Sequence, residues 1–135
     1  MVYDIGSGTG SVACEIARLD PAGKVYAIEM KDEACDLIQQ NADNLGLCNI
    51  EVVRGTAPKA MRGLERATHA FIGGSSGNLR EILAQLGSSC PGIKGVINAV
   101  SLETMAEITG VIADMDVSNL TVEQVSVSRA RELGS

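Results

Sequence analysis

Short apolar runs alternate along the chain with longer stretches whose apolar positions recur at helical spacing. This alternation predicts strands at residues 2–5, 24–29, 50–53, 69–72, 94–99 and 120–128, separated by helices. The first helix is expected from about Gly10 to Leu19, with Val12, Ile16 and Leu19 on one stripe and Asp20-Pro21 ending it. A second is expected over 31–45, with Ala34, Ile38 and Leu45 inward and Gly46 as its C-terminal cap. Asn78 should cap a third that carries Leu79, Ile82, Leu83 and Leu86 up to Gly87, and Ser101 a fourth with Leu102, Met105, Ala106 and Ile112. Strands alternating with helices predict one α/β domain over residues 1–135: a doubly wound, mainly parallel sheet in three αβα layers. In 120–128 polar and apolar residues alternate and the phase slips between Val122 and Val125, which predicts a half-exposed edge strand with a bulge at Glu123-Gln124.

A chain that is 45% hydrophobic can build a core, and with one Phe, two Tyr and no Trp that core must be aliphatic. The same scarcity of aromatic rings, with a formal net charge of −6, argues against a nucleic-acid partner, whose phosphates attract an excess of Lys and Arg. Cys14, Cys35, Cys48 and Cys90 form no C-x-x-C pair and have no histidine-rich neighbourhood, so they read as reduced thiols and no metal site is expected. Neither a signal peptide nor a long apolar span is visible, which predicts a cytoplasmic location and no membrane contact. Val2–Ile5 reads as the tail of a strand and "SRARELGS" stops without a cap or closing strand, so the chain is expected to be truncated at both ends.

The chemistry is expected at "DIGSGTGSV", Asp4 to Val12. Gly6, Gly8 and Gly10 can take dihedrals closed to other residues and let a ligand come close to the main chain, just before a helix N-terminus with free N–H groups. Glu29 ends the second strand, 23 residues after Gly6, where an acidic side chain can accept both hydroxyls of a ribose. A dinucleotide site wants G-x-G-x-x-G, yet residue 11 is Ser and the third glycine comes one place earlier. Asp4 would repel a pyrophosphate and suits a cationic ligand instead. The D-x-G-x-G-x-G arrangement followed by Glu29 is similar to the S-adenosylmethionine-binding motif of class I methyltransferases, whose fold is Rossmann-like.

Three further stretches narrow that resemblance: "RGTAPKAM" (54–61), "AFIGGSSGNLREIL" (70–83) and "GVINAVSLET" (95–104). They resemble the decarboxylating carbon-15 precorrin methyltransferase family of cobalamin biosynthesis, whose substrates are called precorrin-6Y or cobalt-precorrin-6B. The resemblance implies methylation at carbon 15 of a tetrapyrrole, with loss of carboxyl from an acetate arm. It implies S-adenosyl-L-methionine held by Asp4, Gly6, Ser7, Gly8, Thr9 and Gly10, its ribose on Glu29 beside Met30, and its adenine near Gly55, Thr56 and Ala57. Family members often carry an acidic residue at the Thr56 position, where a hydroxyl accepts less strongly. The family also has sequence before the first strand and a further strand beyond the last, its members are oligomeric, and some are fused to or partnered with the carbon-5 precorrin methylase.

The turn Ile72-Gly73-Gly74-Ser75 would leave room for the edge of a flat macrocycle, with Asn78 and Arg80 beside it. Because the donor is already activated, methyl transfer needs an in-line approach more than acid–base help, so no catalytic residue is singled out. The single histidine, His69, reads as structural. Arg54, Lys59, Arg62, Arg66 and Arg80 are candidates to pair with the carboxylate arms of the substrate. Two other readings stay open. One is a class I methyltransferase acting on RNA or protein, against which stand the acidity and the lack of an Asn-Pro-Pro-Tyr-type signature; the other is a donor-binding or assembly module without turnover.

Overall fold

The structure is a computed structural model that describes residues 1–75, 77–99 and 101–115. Parallel strands β1 (Val2–Ile5), β2 (Val25–Glu29), β3 (Ile50–Arg54), β4 (His69–Ile72) and β5 (Lys94–Ile97) form a sheet in the order β3-β2-β1-β4-β5. Between and after them lie α1 (Ser11–Leu19), α2 (Asp32–Asn44), a 3-10 turn (Lys59–Met61), α3 (Leu79–Ser89) and α4 (Leu102–Ala113). The strand predicted at 120–128 and its bulge at Glu123-Gln124 lie outside the described residues.

The chain winds from β1 outward to β3, then crosses back to β4 and winds the other way to β5. Right-handed crossovers therefore put the helices of the two halves on opposite faces. Alternate side chains of each strand feed different layers. Val25 and Ala27 pack with Ala13, Ala17 and Ile38 under α1 and α2. Tyr3, Ile5, Tyr26 and Ile28 pack with Leu79, Ile82, Leu86 and Val111 under α3 and α4. Every residue of β2 is buried, as expected of a central parallel strand covered on both sides.

The helices differ from expectation in which face they bury. In α1 the small residues Ala13, Cys14 and Ala17 meet the sheet, while Leu19, in the last turn, is 80% exposed. In α2 the buried set is Cys35, Ile38 and Ala42, and Leu45 falls beyond the last turn into solvent. Gly46 does end that helix, at φ 66°, with the Gly46 amide on Asp43 and the Leu47 amide on Ala42. Helix α3 runs through Gly87, since a lone interior glycine costs only about 1 kcal/mol, and the left-handed residue that turns the chain afterwards is Gly92. Helix α4 is capped by the Ser101 hydroxyl on the Thr104 amide. Its contact with the core comes from Ile108 and Val111, joined by Met115 just beyond the helix, whereas Leu102 is 87% exposed and Met105 and Ala106 also face outward.

The connection at the amino edge between α1 and β2 is closed by one side chain. The Asn49 amide donates toward the carbonyls of Ala17, Asp20 and Gly23 at 3.0–3.1 Å. Replacing Asn49 with Ala removes that donor from a half-buried turn, leaving the Asp20 carbonyl to the Gly23 amide, and should destabilise the fold by about 1–3 kcal/mol. Urea unfolding with an unchanged slope and a lowered midpoint is the expected readout; a midpoint equal to that of the unaltered chain would contradict the assignment.

Candidate functional site

The candidate site lies at the carboxyl edge of the sheet, where the winding reverses between β1 and β4. The loop leaving β1 first bends over β2, the amides of Gly6 and Ser7 both donating to the Ile28 carbonyl at 2.9 and 3.1 Å. Gly6, Gly8 and Gly10 all take positive φ, 69°, 62° and 79°. At Gly6 a side chain is excluded twice over, because a Cβ would stand 2.5 Å from the carbonyl oxygen of Gly74. At Gly10 it would meet the Ile38 side chain at 2.9 Å. Above Gly8 there is open space, so this glycine bares backbone to whatever occupies the edge.

Two buried carboxylates hold the loop from below. Asp4 is 1% exposed; it accepts the Ser7 hydroxyl at 2.7 Å and the Ala13 amide in the first turn of α1. It thereby does the capping that Gly10, at the N-cap position with no side chain, cannot do. Burial raises the Asp4 pKa above the ordinary carboxylate value, with a further push from Glu29, and the two hydrogen bonds offset part of the rise. Glu29 is 8% exposed, with one carboxylate oxygen on the Gly8 amide at 2.8 Å and the other on the Lys31 amide at 3.2 Å. Each oxygen can accept a second hydrogen bond, so acceptor capacity remains for ligand hydroxyls.

The segment after β3 closes one side. The Gly55 amide donates to the Glu29 carbonyl at 3.0 Å, and the Thr56 hydroxyl lies 4.0 Å from the Met30 sulfur. The loop after β4 closes the other, beginning with the Gly73 amide on the Ile5 carbonyl at 2.9 Å; Gly73 and Gly74 are exposed and Ser75 is half-buried. The structure thus gathers Asp4, Gly6 to Gly10, Glu29, Met30, Gly55 to Ala57, Gly73 to Ser75 and Asn78 around one edge.

The cationic residues are more scattered. Arg54 is held by Asp32 and Asp36 at 2.9 and 3.1 Å, and Arg80 pairs with Asp114 of α4 at 3.0 Å. Arg66 sits before β4, at the opposite edge, and donates to the Pro91 carbonyl. Lys59 and Arg62 form no ion pair among the described residues. His69 starts β4 at that opposite edge too, with its ring on the Thr68 hydroxyl. Asn78 stands at the N-cap of α3 but makes no capping bond; its side chain reaches instead to the Ala57 carbonyl. Two contributors went unread in the sequence: Asn41, whose amide holds the Thr9 carbonyl at 2.9 Å, and the Lys31 backbone. An asparagine inside α2 looks like solvent-facing polarity, and no side-chain pattern reveals a main-chain donor. Among the described residues no cluster of side chains could hold a metal, and the four cysteines are unpaired.

The family model of the precorrin methyltransferase domain matches residues 1–135. A probable cobalt-precorrin-6B C(15)-methyltransferase (decarboxylating) of Saccharolobus solfataricus is 33% identical over 132 residues, 95% of this chain and 66% of that protein. Among solved structures, the C-terminal domain of precorrin-6Y C5,15-methyltransferase from Rhodobacter capsulatus superposes with a TM-score of 0.82 at 32% identity, covering 98% of this chain and 70% of that one. Precorrin-6y C5,15-methyltransferase from Geobacter metallireducens gives a TM-score of 0.79 at 31% identity, over 84% and 60%. The chain therefore spans just under two thirds of the length of the Saccharolobus protein and 60% of the Geobacter one.

Asp4 carries a testable consequence for stability. Its raised pKa means that the folded chain holds the proton more tightly than the unfolded one, so its contribution to stability falls as pH rises through its titration. Asp4→Asn keeps an acceptor for Ser7 and Ala13 without the buried charge. The variant should melt higher than the unaltered chain at pH 7, and the gap should narrow as the pH is lowered until Asp4 is itself protonated; a gap that widens toward acid would refute the burial argument.

Proposed function

The chain belongs to the precorrin methyltransferase family, and on that premise we propose that it binds S-adenosyl-L-methionine and methylates carbon 15 of a precorrin or cobalt-precorrin. Carbon dioxide would leave from an acetate arm of the same substrate. The observation that carries the proposal is the cradle at Gly8: open space over a positive-φ glycine, walled by the buried carboxylate of Glu29. The fit is chemical as well as spatial. Glu29 has acceptor capacity for ribose hydroxyls, the first-turn amides of α1 that Asp4 leaves uncapped suit the amino-acid carboxylate, and Asp4 beneath the loop favours a ligand bearing an amine and a sulfonium.

When bound, the donor supplies a methyl group already activated by its positive sulfur. What remains for the chain is to hold donor and acceptor in line, which can supply much of the lowering of the barrier. Met30 and the Gly55–Ala57 segment would flank the adenine; Gly73, Gly74 and Ser75 would border the acceptor without side-chain bulk. For decarboxylation the conjugated macrocycle can take up the electron pair left by carbon dioxide, so the reaction balances without a further cofactor. The Rhodobacter protein, a C-terminal domain of a C5,15-methyltransferase, supports a carbon-5 methylase as fused or separate partner. Self-association and a cytoplasmic location belong to the same proposal; among the described residues no helix is long and apolar enough to cross a membrane.

Calorimetric titration with S-adenosylhomocysteine tests the donor site, with NADH as the parallel ligand. Micromolar binding of the first and none of the second is expected, and Glu29→Ala should weaken it at least about tenfold, since ribose acceptors and the hold on Gly8 go together. Binding of NADH alone would overturn the reading. On the acceptor side, Arg80→Ala should raise the KM for the tetrapyrrole and leave S-adenosylhomocysteine affinity unchanged; equal KM values would remove Arg80 from the site.

A further inference from the structure

Strands β3 and β4 stand on opposite sides of the β2–β1 pair, three strand spacings or about 14 Å apart. The segments that follow them are nonetheless joined directly. The Asn78 side-chain amide donates to the Ala57 carbonyl at 3.1 Å, across 21 residues of sequence, and both groups are half-buried or better. The other hydrogen bonds between the stretches after β3 and β4, Arg66 to the Pro91 carbonyl and the Ala67 amide to the Cys90 sulfur, lie at the opposite edge of the sheet, away from the candidate site.

The residue gives up something to make it. Asn is among the best N-cap residues, and Asn78 stands where a cap belongs, with its carbonyl already accepting the Ile82 amide at 2.9 Å. Its φ of −103° and ψ of 22° lie off the extended conformation that turns a cap side chain onto the first helical turn, and no cap bond forms. The bond to Ala57 also completes a circuit around the candidate site: Gly74 lies against Gly6, Glu29 holds Gly8 through its carboxylate and Gly55 through its carbonyl, and Asn78 returns from Ala57 to the loop after β4.

We infer that Asn78 is a positioning residue: it fastens the segment after β3 to the loop after β4 and so fixes the adenine side of the donor pocket relative to the acceptor side. The inference rests on the donor reading above. It separates a tie from a cap, and two substitutions make the same separation. Asn78→Ser and Asn78→Asp both keep a good N-cap residue, but the serine hydroxyl is too short to reach Ala57 and the aspartate has no N–H to give.

Two readouts on the same chain test it. In the ligand-free protein, the amides of Ala60 and Met61, bonded to Thr56 and Pro58, should exchange with deuterium several-fold faster in both variants, while the melting temperature stays close to that of the unaltered chain. S-adenosylhomocysteine affinity should fall about three- to tenfold, the worth of one such hydrogen bond. Asn49→Ala serves as the reference for a purely structural loss: it should lower the melting temperature without changing either readout. Unchanged protection at Ala60 and Met61 overturns the tie. Faster exchange with unchanged affinity overturns its role in positioning the donor. Failure of the unaltered chain to bind S-adenosylhomocysteine instead overturns the donor reading, and the exchange comparison then still decides whether Asn78 holds the segment.

Discussion

The approach of the Gly6 backbone to Gly74 is the constraint on which the rest of the site depends. Strands β1 and β4 are hydrogen-bonded neighbours, yet the chain leaves them toward opposite faces of the sheet, to α1 and to α3. Their two exit loops must part within one strand spacing. With a Cβ on Gly6 standing 2.5 Å from the Gly74 carbonyl, the loops could not pass at this distance. Once they do pass, they diverge and leave an open edge floored by Gly8. The candidate site is therefore a consequence of the winding, and the glycines are what the winding demands.

Holding that edge open costs burial of charge. Asp4 and Glu29 are both buried, close enough for Glu29 to raise the pKa of Asp4, and among the described residues neither forms an ion pair. Their compensation comes from hydroxyl and backbone donors: Ser7 and Ala13 for Asp4, Gly8 and Lys31 for Glu29. Such charge-assisted bonds are strong, but a carboxyl kept at a raised pKa remains a net cost near neutral pH. Stability is spent where function would draw on it: burial makes the Asp4 charge unfavourable in the folded chain, and that same buried charge would favour a cationic ligand above the loop.

Much of this was legible in the sequence, because it is written in residues whose role follows from backbone geometry. The strands are placed within a residue or two where both strand faces are buried, and Gly6, Gly8 and Gly10 announce a left-handed loop. The 94–99 prediction overran β5, which ends at Ile97. Helix faces were less legible. A stripe of large apolar residues was expected to face inward, but α1 lies against the sheet through Ala13 and Ala17 and turns Leu19 outward. Small residues set how closely a helix can approach a sheet, and periodicity weighted by side-chain size passes over them. Asn78 shows the other limit: its position was read correctly as an N-cap, yet its bond was decided by Ala57, which only the tertiary fold brings within reach.

The cationic groups carry the argument to the acceptor. The proposed acceptor, a tetrapyrrole with several carboxylate arms, would be an awkward ligand for a chain of net charge −6, so what matters is which cations could be given up to it. Arg54 bonds two aspartates of α2 at once, and releasing it would leave both of them facing an anionic substrate. Among the described residues Arg80 has one partner, Asp114, in a pair whose side chains are 52% and 63% exposed. An ion pair so open to water contributes little, about 0–1 kcal/mol, and exchanges one carboxylate for another at small cost. Arg80 also stands in the first turn of α3, directly after the loop proposed to border the acceptor. Under the proposed reaction a carboxylate arm of the substrate would take the place of Asp114 on this guanidinium.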